Sequence, residues 1–293
     1  MDKVSFMPAD HAPKPPARKL SISQFVSDSA RHLLHREAKL THSGRAAMTA
    51  LFEKLELQRE DEIFVTTTFD FPNVSSCVTC TIFNFCRPSR ILTKQTRAIF
   101  VIHEFGVPHA QTRKLQDEAR RRGIPLIEDC AHTIDSVSRE GWRVGELGDW
   151  AIVSLPKILP TLHGGLLVGP KDSYKPGQRE KTEMMRAGET AAAWWTLRAE
   201  HVARRREIFR ELTQRARKKG VRTLLSADPR IAPWFFPIRA KRPDALIGRA
   251  RARRVDCGLW HGTNIVVLPC HQFLAQCDID RIVDAASAAE GQR

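Results

Sequence analysis

The sequence lacks any apolar run long enough to span a lipid bilayer, which argues against an integral membrane protein. Residues 1–20 are polar, basic and rich in proline, unlike a secretory signal. Internal repeats and low-complexity tracts are also absent. With 293 residues, 42% of them apolar, the chain can bury a substantial core, and one large plus one small domain is a natural division. We therefore expect a globular cytoplasmic protein.

The seven cysteines do not form a complete metal-binding pattern. Cys77 and Cys80 are spaced as in a metal motif and Cys86 follows, but no fourth ligand has a matching spacing, and His103 is isolated. Cysteines of a cytosolic chain are usually reduced and often buried. The sequence therefore predicts free thiols and no bound metal.

Acidic residues are too few to balance the basic ones, and the formal net charge is +14. Such a charge attracts polyanions, including nucleic acids and metabolites that carry a diphosphate. The basic runs lie in predicted helices, and no zinc finger or RNA-recognition motif accompanies them. We interpret these runs as solvated helix faces and keep nucleic-acid binding as the least favoured alternative. The runs are at 120–122, 204–206 and 251–254.

Strand and helix patterns alternate through the first part of the chain, which is typical of a layered α/β domain. After Pro170 a long charged helical stretch precedes short strands and helices, which predicts a small α+β domain. We expect a flexible arm over 1–26 with a helix from Ser27, a large domain over 27–178, and a linker helix with the small domain over 179–293. Strands are predicted at 62–67, 97–102, 124–128, 150–154, 166–169, 234–239 and 265–268, and helices at 46–55, 111–122, 179–219, 243–254 and 278–289.

The most informative stretch joins an acidic strand end, a lone lysine and a glycine pair. Asp129 ends a buried apolar run, Lys157 follows a second such run, and Gly164 and Gly165 come shortly after. This is the layout of a site for pyridoxal 5′-phosphate (PLP), in which a carboxylate holds the pyridine nitrogen and a lysine holds the aldehyde as a Schiff base. Asp129 could instead cap the next helix, and Lys157 could lie at the surface, although its apolar neighbours argue against the latter.

Other motifs occur in the order of a known family, and with them the sequence resembles the nucleotide-sugar aminotransferases of the DegT/StrS type over roughly residues 40–290. This family is a branch of the aspartate aminotransferase fold. The motifs are the phosphate turn Ser43-Gly44-Arg45-Ala46-Ala47, Phe71 in an aromatic loop, the turn from His103 to Pro108, the segment from Glu128 to His132, Gly148-Asp149, Ser154, Lys157, Gly164-Gly165, Gly258-Leu259-Trp260 and Leu268-Pro269-Cys270-His271.

The resemblance implies a three-layer α/β/α large domain of PLP fold type I, a small C-terminal α+β domain, and a homodimer, because a partner chain completes sites of this fold. It implies that Asp129 and Lys157 are catalytic, and that the lysine moves a proton. Phe71 and His132 would contact the cofactor ring, although either could be an ordinary core residue. The residues implied to bind PLP are Ser43, Gly44, Arg45, Phe71, Asp129, His132, Ser154 and Lys157.

The implied reaction transfers an amino group from glutamate to a keto group of a nucleotide-linked sugar. A lysine at position 157 argues against the dehydratase branch of the family, which has a histidine there. Three features depart from the family: Arg45 replaces a threonine, Ser154 lies only three residues before Lys157, and the segments over 86–97 and after Pro170 are short. Because the short segments border the acceptor site, the alternative is a catalytically impaired homologue that acts as a binding or regulatory partner.

Overall fold

The structure is a computed structural model that describes residues 2–17, 19–33, 37–170 and 178–287. The helices are α1 Ile22–His32, α2 Gly44–Lys54, α3 Ser76–Phe83, α4 Thr112–Arg122, α5 Leu155–Ile158, α6 Gln178–Trp195, α7 Arg198–Lys218, α8 Pro243–Ala252 and α9 Gln276–Ser287. The strands are β1 Glu37–Thr41, β2 Glu62–Thr67, β3 Arg87–Ser89, β4 Thr96–Ile102, β5 Leu126–Asp129, β6 Trp150–Ser154, β7 Gly165–Gly169, β8 Phe235–Arg239, β9 Gly258–Leu259 and β10 Ile265–Pro269.

A seven-stranded sheet forms the centre of the large domain, with the order β1-β7-β6-β5-β4-β2-β3. Strands β3, β2, β4, β5 and β6 are parallel, whereas β7 runs antiparallel to both of its neighbours, β6 and β1. Parallel strands of this kind end at one edge of the sheet, which is where α/β folds place their sites. The carboxyl ends of β5 and β6 lie side by side there.

Helices cover both faces of this sheet, as the alternation of side chains along a strand requires. On β4, Phe100 faces a core shared with α2 and α3, whereas Ile99 and Val101 face α4. Helices α1 and α6 pack on the same side as α4, against β1, β6 and β7. The predicted three-layer α/β/α architecture is therefore confirmed.

The short segment after Cys86 contains an edge strand, because β3 pairs in parallel with β2 over three residues, Arg87 to Ser89. Neither this strand nor β1, the edge strand on the opposite side of the sheet, was predicted from the sequence. The sheet thus has an edge strand on each side, and the one that follows Cys86 has only three residues.

The small domain has a three-stranded antiparallel sheet, β8-β10-β9, packed against α7, α8 and α9. Its core includes Ile208 and Phe209 of α7, whereas Trp194 of α6 packs in the large domain. The predicted continuous helix over 179–219 is therefore wrong. Its first half packs in the core of the large domain, and its second half packs in the core of the small domain. Residues 196–197 separate α6 from α7.

The N-terminal segment is packed rather than separate. Val4 is fully buried in the small-domain core, and its N–H donates to the carbonyl of Arg254 at 2.8 Å. The predicted helix start at Ser27 is wrong, since α1 begins at Ile22. Ser21 forms a capping box with Gln24 there, which supplies the partners that the first turn needs. Among the described residues, no helix is both long and apolar enough to cross a membrane.

Candidate active site

Asp129 is the last residue of β5 and lies buried at the edge of the sheet where the parallel strands end. One of its oxygens accepts the backbone N–H of Ala131 at 2.9 Å. Burial raises the pKa of Asp129, and the positive charge of Lys157 opposes this shift. The carboxylate thus has one backbone donor and a lysine within electrostatic reach.

Lys157 lies in α5, the single helical turn that follows directly after β6. Its Nζ lies 4.6 Å from the centre of the Trp234 ring, a cation–π distance. Burial lowers the pKa of Lys157, and the negative charge of Asp129 opposes that shift. A desolvated lysine of this kind suits proton transfer and covalent chemistry. Lys157 is half-buried rather than fully exposed at the surface.

The predicted phosphate turn forms the start of α2. Ser43 is the N-cap, and its Oγ accepts the N–H of Ala46 at 3.2 Å. A Cβ on Gly165 would lie only 2.5 Å from the carbonyl carbon of Ser43, so β7 approaches this turn closely. A Cβ on Gly44 would lie 3.5 Å from that of Ser154, which places the two predicted phosphate-binding segments side by side. The positive end of α2 can therefore receive an anion.

Arg45 is exposed at the first turn of α2 and lines an open cavity of about 1160 Å³ with Ser43. Side chains of α3 line the same cavity, including Cys77 and Cys80. Both thiols are free, as predicted, but they are exposed rather than buried. The structure thus brings Ser43 and Arg45 to one opening.

His132 is buried, and its Nδ1 accepts the N–H of Phe105 at 3.0 Å. Burial, followed by the positive charge of Lys157, holds the pKa of His132 well below its ordinary value, so the ring is neutral. The ring centre lies 4.9 Å from that of Trp234, over which Lys157 also lies. The structure therefore brings His132 and Lys157 to the same indole.

Phe71 lies further out, in the loop after β2. It stacks on Phe69 with ring centres 5.5 Å apart, and Phe69 contacts Phe105 at 5.8 Å. Phe71 packs against the small-domain core. Phe105 in turn stacks with His132, with ring centres 6.5 Å apart, so this series of aromatic groups leads from Phe71 to His132.

Two residues near Lys157 were missed by the sequence analysis, Trp234 and Arg205. The buried guanidinium of Arg205 donates to the carbonyls of Lys157 and Ile158, each at 3.3 Å, and to Gln272 Oε1 at 2.5 Å. Burial lowers its pKa to about 10. The interpretation of 204–206 as a wholly solvated run is wrong, because the spacing from Arg205 to Ile208, Phe209 and Leu212 puts it on the buried face of α7. That spacing was visible in the sequence.

A second buried carboxylate, Glu128, precedes Asp129 on β5. It accepts the N–H groups of Gly145, Leu147 and Gly148 and lies 2.8 Å from His103 Nε2. The Nδ1 of His103 accepts a backbone N–H, so Nε2 donates to Glu128. Burial alone would raise the pKa of Glu128, but these donors outweigh burial and lower it. His103 is therefore paired, not isolated.

Residues 87–187 match the model of the DegT/DnrJ/EryC1/StrS aminotransferase family. This stretch of the chain is thus similar to that family. The matched residues include Asp129, His132, Ser154 and Lys157, whereas Ser43 and Phe71 lie outside them. The resemblance predicted from the sequence is thereby confirmed.

Curated aminotransferases match a short part of the chain. The L-glutamine:scyllo-inosose aminotransferase of Streptomyces griseus is 43% identical over 79 residues, which is 26% of this chain and 18% of that protein. The L-glutamine:2-deoxy-scyllo-inosose aminotransferase of Streptoalloteichus tenebrarius is 35% identical over 79 residues, with the same coverage. The matches thus span less than a fifth of these relatives.

Solved structures of DegT-family and other aminotransferases match most of the chain in fold. The aminotransferase TlmJ from Streptoalloteichus hindustanus has a TM-score of 0.76 at 21% identity, covering 93% of this chain and 91% of that one. PseC of Helicobacter pylori, an aminotransferase of pseudoaminic acid biosynthesis, has a TM-score of 0.75 at 13% identity, covering 94% and 93%. The predicted fold, PLP type I with a small C-terminal domain, is confirmed.

Proposed function

We propose that this protein is a PLP-dependent aminotransferase whose acceptor is a keto group on a sugar-like ring. The observation that carries the proposal is the pairing of Asp129 and Lys157. Asp129 ends β5, Lys157 lies in the turn directly after the neighbouring strand β6, and each opposes the pKa shift that burial imposes on the other. Perturbed groups that interact in this way at a sheet's carboxyl edge are typical of active sites.

The residues present fit PLP in their chemistry. A buried carboxylate with one backbone donor can hold a pyridinium N–H, and a desolvated lysine can hold an aldehyde. The N-terminus of α2, with Ser43 and Ser154 nearby, can hold the phosphate. When bound, PLP supplies the electron sink that makes the substrate Cα proton acidic.

The chain's own groups then have separate tasks. Asp129 would hold the pyridine nitrogen and keep it protonated, because an adjacent positive charge favours the carboxylate. Lys157 would move a proton between the substrate Cα and the C4′ carbon of the cofactor, since its lowered pKa leaves the amine available as a base. Neutral His132 and Phe71 are proposed to contact the ring, and Arg45 to offer a cation near the phosphate.

The substrates are proposals from similarity. The sequence resemblance suggests glutamate as donor and a nucleotide-linked sugar as acceptor, whereas the relatives are named for L-glutamine and for inososes. The net charge of +14 favours an anionic acceptor without selecting one. Both donors and both acceptor types therefore belong in the assay, and we propose a homodimer as the working unit, to be tested by light scattering.

The decisive experiment is an absorption spectrum of the protein incubated with PLP. We expect a visible band in the wild type that glutamate or glutamine bleaches, and no such band in Lys157→Ala. Exposed Lys114 provides the control, since Lys114→Ala should behave as the wild type. Borohydride reduction and peptide mass spectrometry should place the cofactor on the Lys157 peptide.

A wild-type spectrum without the band would overturn the enzyme proposal and favour the impaired homologue. Cofactor found on Lys114 or spread over many lysines would equally contradict the assignment of Lys157. A band that forms but does not bleach with either donor would retain the cofactor site and refute amino transfer from these two amino acids.

A further inference from the structure

Three potential metal ligands converge beside the phosphate turn. His42 lies just after β1, His163 just before β7, and Glu183 in the first half of α6. One ligand atom from each residue lies within 4.8 Å of the other two. His42 Nε2 and Glu183 Oε2 are 2.5 Å apart, and the two imidazole rings stack with centres 5.5 Å apart.

The backbone fixes the two histidines relative to each other. The carbonyl of His42 accepts the N–H of Gly164 at 2.7 Å, and Ser43 forms a β-bridge with Gly164. His42 and His163 therefore flank a hydrogen-bonded crossing, and α6 brings the carboxylate from a third element. Such convergence from separate elements holds the ligand positions without a local sequence motif, which is why cysteine spacing gave no sign of it.

We propose that His42, His163 and Glu183 form a binding site for a divalent transition metal ion such as Zn²⁺. Two imidazoles and one carboxylate are a ligand set that Zn²⁺ takes, at about 2.0–2.2 Å from each donor atom. Ligand atoms on such a tetrahedron lie about 3.4 Å apart. Metal binding therefore requires His42 Nε2 and Glu183 Oε2, now 2.5 Å apart, to separate slightly, and the exposed His163 ring to adjust to them. Three protein ligands leave a fourth position for water or an anionic group. This replaces the sequence-based prediction of no metal.

Two nearby thiols are alternative ligands for the same ion. The experiment must therefore distinguish binding by these thiols from binding at His42, His163 and Glu183. Cys77 and Cys80 are exposed and line the cavity that His42 also lines. Thiolates bind Zn²⁺ well, so binding by itself does not assign the ligands. Co²⁺ separates the two cases, because thiolate ligation adds intense sulfur-to-metal charge-transfer absorption that nitrogen and oxygen ligands lack.

The experiment is a calorimetric titration of chelator-treated protein with ZnCl₂, followed by Co²⁺ absorption spectra. We expect one equivalent of Zn²⁺ in the wild type, and at least tenfold weaker binding in each of His42→Ala, His163→Ala and Glu183→Gln. His261→Ala, which removes an exposed histidine of the small domain, and Cys77→Ser/Cys80→Ser should bind within twofold of the wild type.

Unchanged Zn²⁺ affinity in His42→Ala and His163→Ala, or loss of binding in the double cysteine variant, would overturn the proposal. No binding in the wild type would leave His42 and Glu183 as a hydrogen-bonded pair only. His163 is exposed, so its replacement should fold normally and give a clear result even if the His42 variant does not. The site does not depend on the proposed function, since Lys157→Ala should bind Zn²⁺ as the wild type does.

Discussion

Two adjacent carboxylates on β5 occupy opposite faces of the sheet and have opposite electrostatic character. Glu128 accepts hydrogen bonds from three backbone N–H groups and from His103 Nε2, and its pKa is lowered. Asp129 accepts one backbone N–H, and its pKa is raised by burial. The difference teaches that buried acids must be distinguished by their partners: a fully satisfied one holds the fold, whereas an incompletely satisfied one beside a desolvated lysine is available for chemistry.

Among substitutions that leave Lys157 in place, Asp129→Asn should have the largest effect on activity. A neutral amide cannot keep a pyridine nitrogen protonated, so we expect amino transfer to fall by about 10²-fold or more. The fold should survive, because the substitution removes a buried charge. Steady-state assays and urea unfolding together check this, and near-wild-type activity in a folded variant would contradict the role of Asp129.

Glu128→Gln should show the reverse pattern. The amide NH₂ of the glutamine would face backbone N–H groups that donate to the carboxylate in the wild type. We therefore expect the free energy of unfolding to fall by about 2–4 kcal/mol. The visible PLP band should still form at low temperature. Urea unfolding measures the loss. Unchanged stability would show that the Glu128 network is not structural, and the contrast between the two carboxylates would fail.

The sequence was sufficient to predict the strands and helices that have a clear hydrophobic pattern, and to identify the two candidate catalytic residues. Strand 150–154 has the predicted bounds, and Asp129 and Lys157 follow apolar strands that are easily recognised. The partners could not be predicted in the same way. Trp234 reaches Lys157 across nearly eighty residues of chain, and the three donors to Glu128 lie in a loop without a periodic pattern. Such contacts depend on tertiary packing, which a single sequence does not specify.

Arg205→Met should have an intermediate effect, because Arg205 orients the turn that carries Lys157. Losing its bonds to the carbonyls of Lys157 and Ile158 should cost about 1–3 kcal/mol of stability. It should also shift the pH at which the PLP band titrates, which a merely structural role would not do. Arg204→Met is the matched control, since Arg204 is exposed on the same helix. If the pH at which the PLP band titrates did not change, Arg205 would have a structural role alone.

The smallest effect should appear in how stability depends on pH. The lowered folded pKa of Glu128 contributes stability that is present above the unfolded pKa of about 4.3 and is lost as the pH falls through the folded value. The raised pKa of Asp129 acts oppositely: its contribution is present below the unfolded pKa of about 3.9 and is lost as the pH rises through the folded value. In PLP-free protein, Glu128→Gln should therefore lessen the loss of stability in acid, whereas Asp129→Asn should lessen the loss on going from acid towards neutral pH. Urea unfolding between pH 3 and 7 measures both changes in the free energy of unfolding. Each is expected to amount to about 1.4 kcal/mol per unit of pKa shift. If both variants changed the profile in the same direction, neighbouring acids on one strand would not differ in their protonation, and the assignment of Asp129 to chemistry would lose its physical basis.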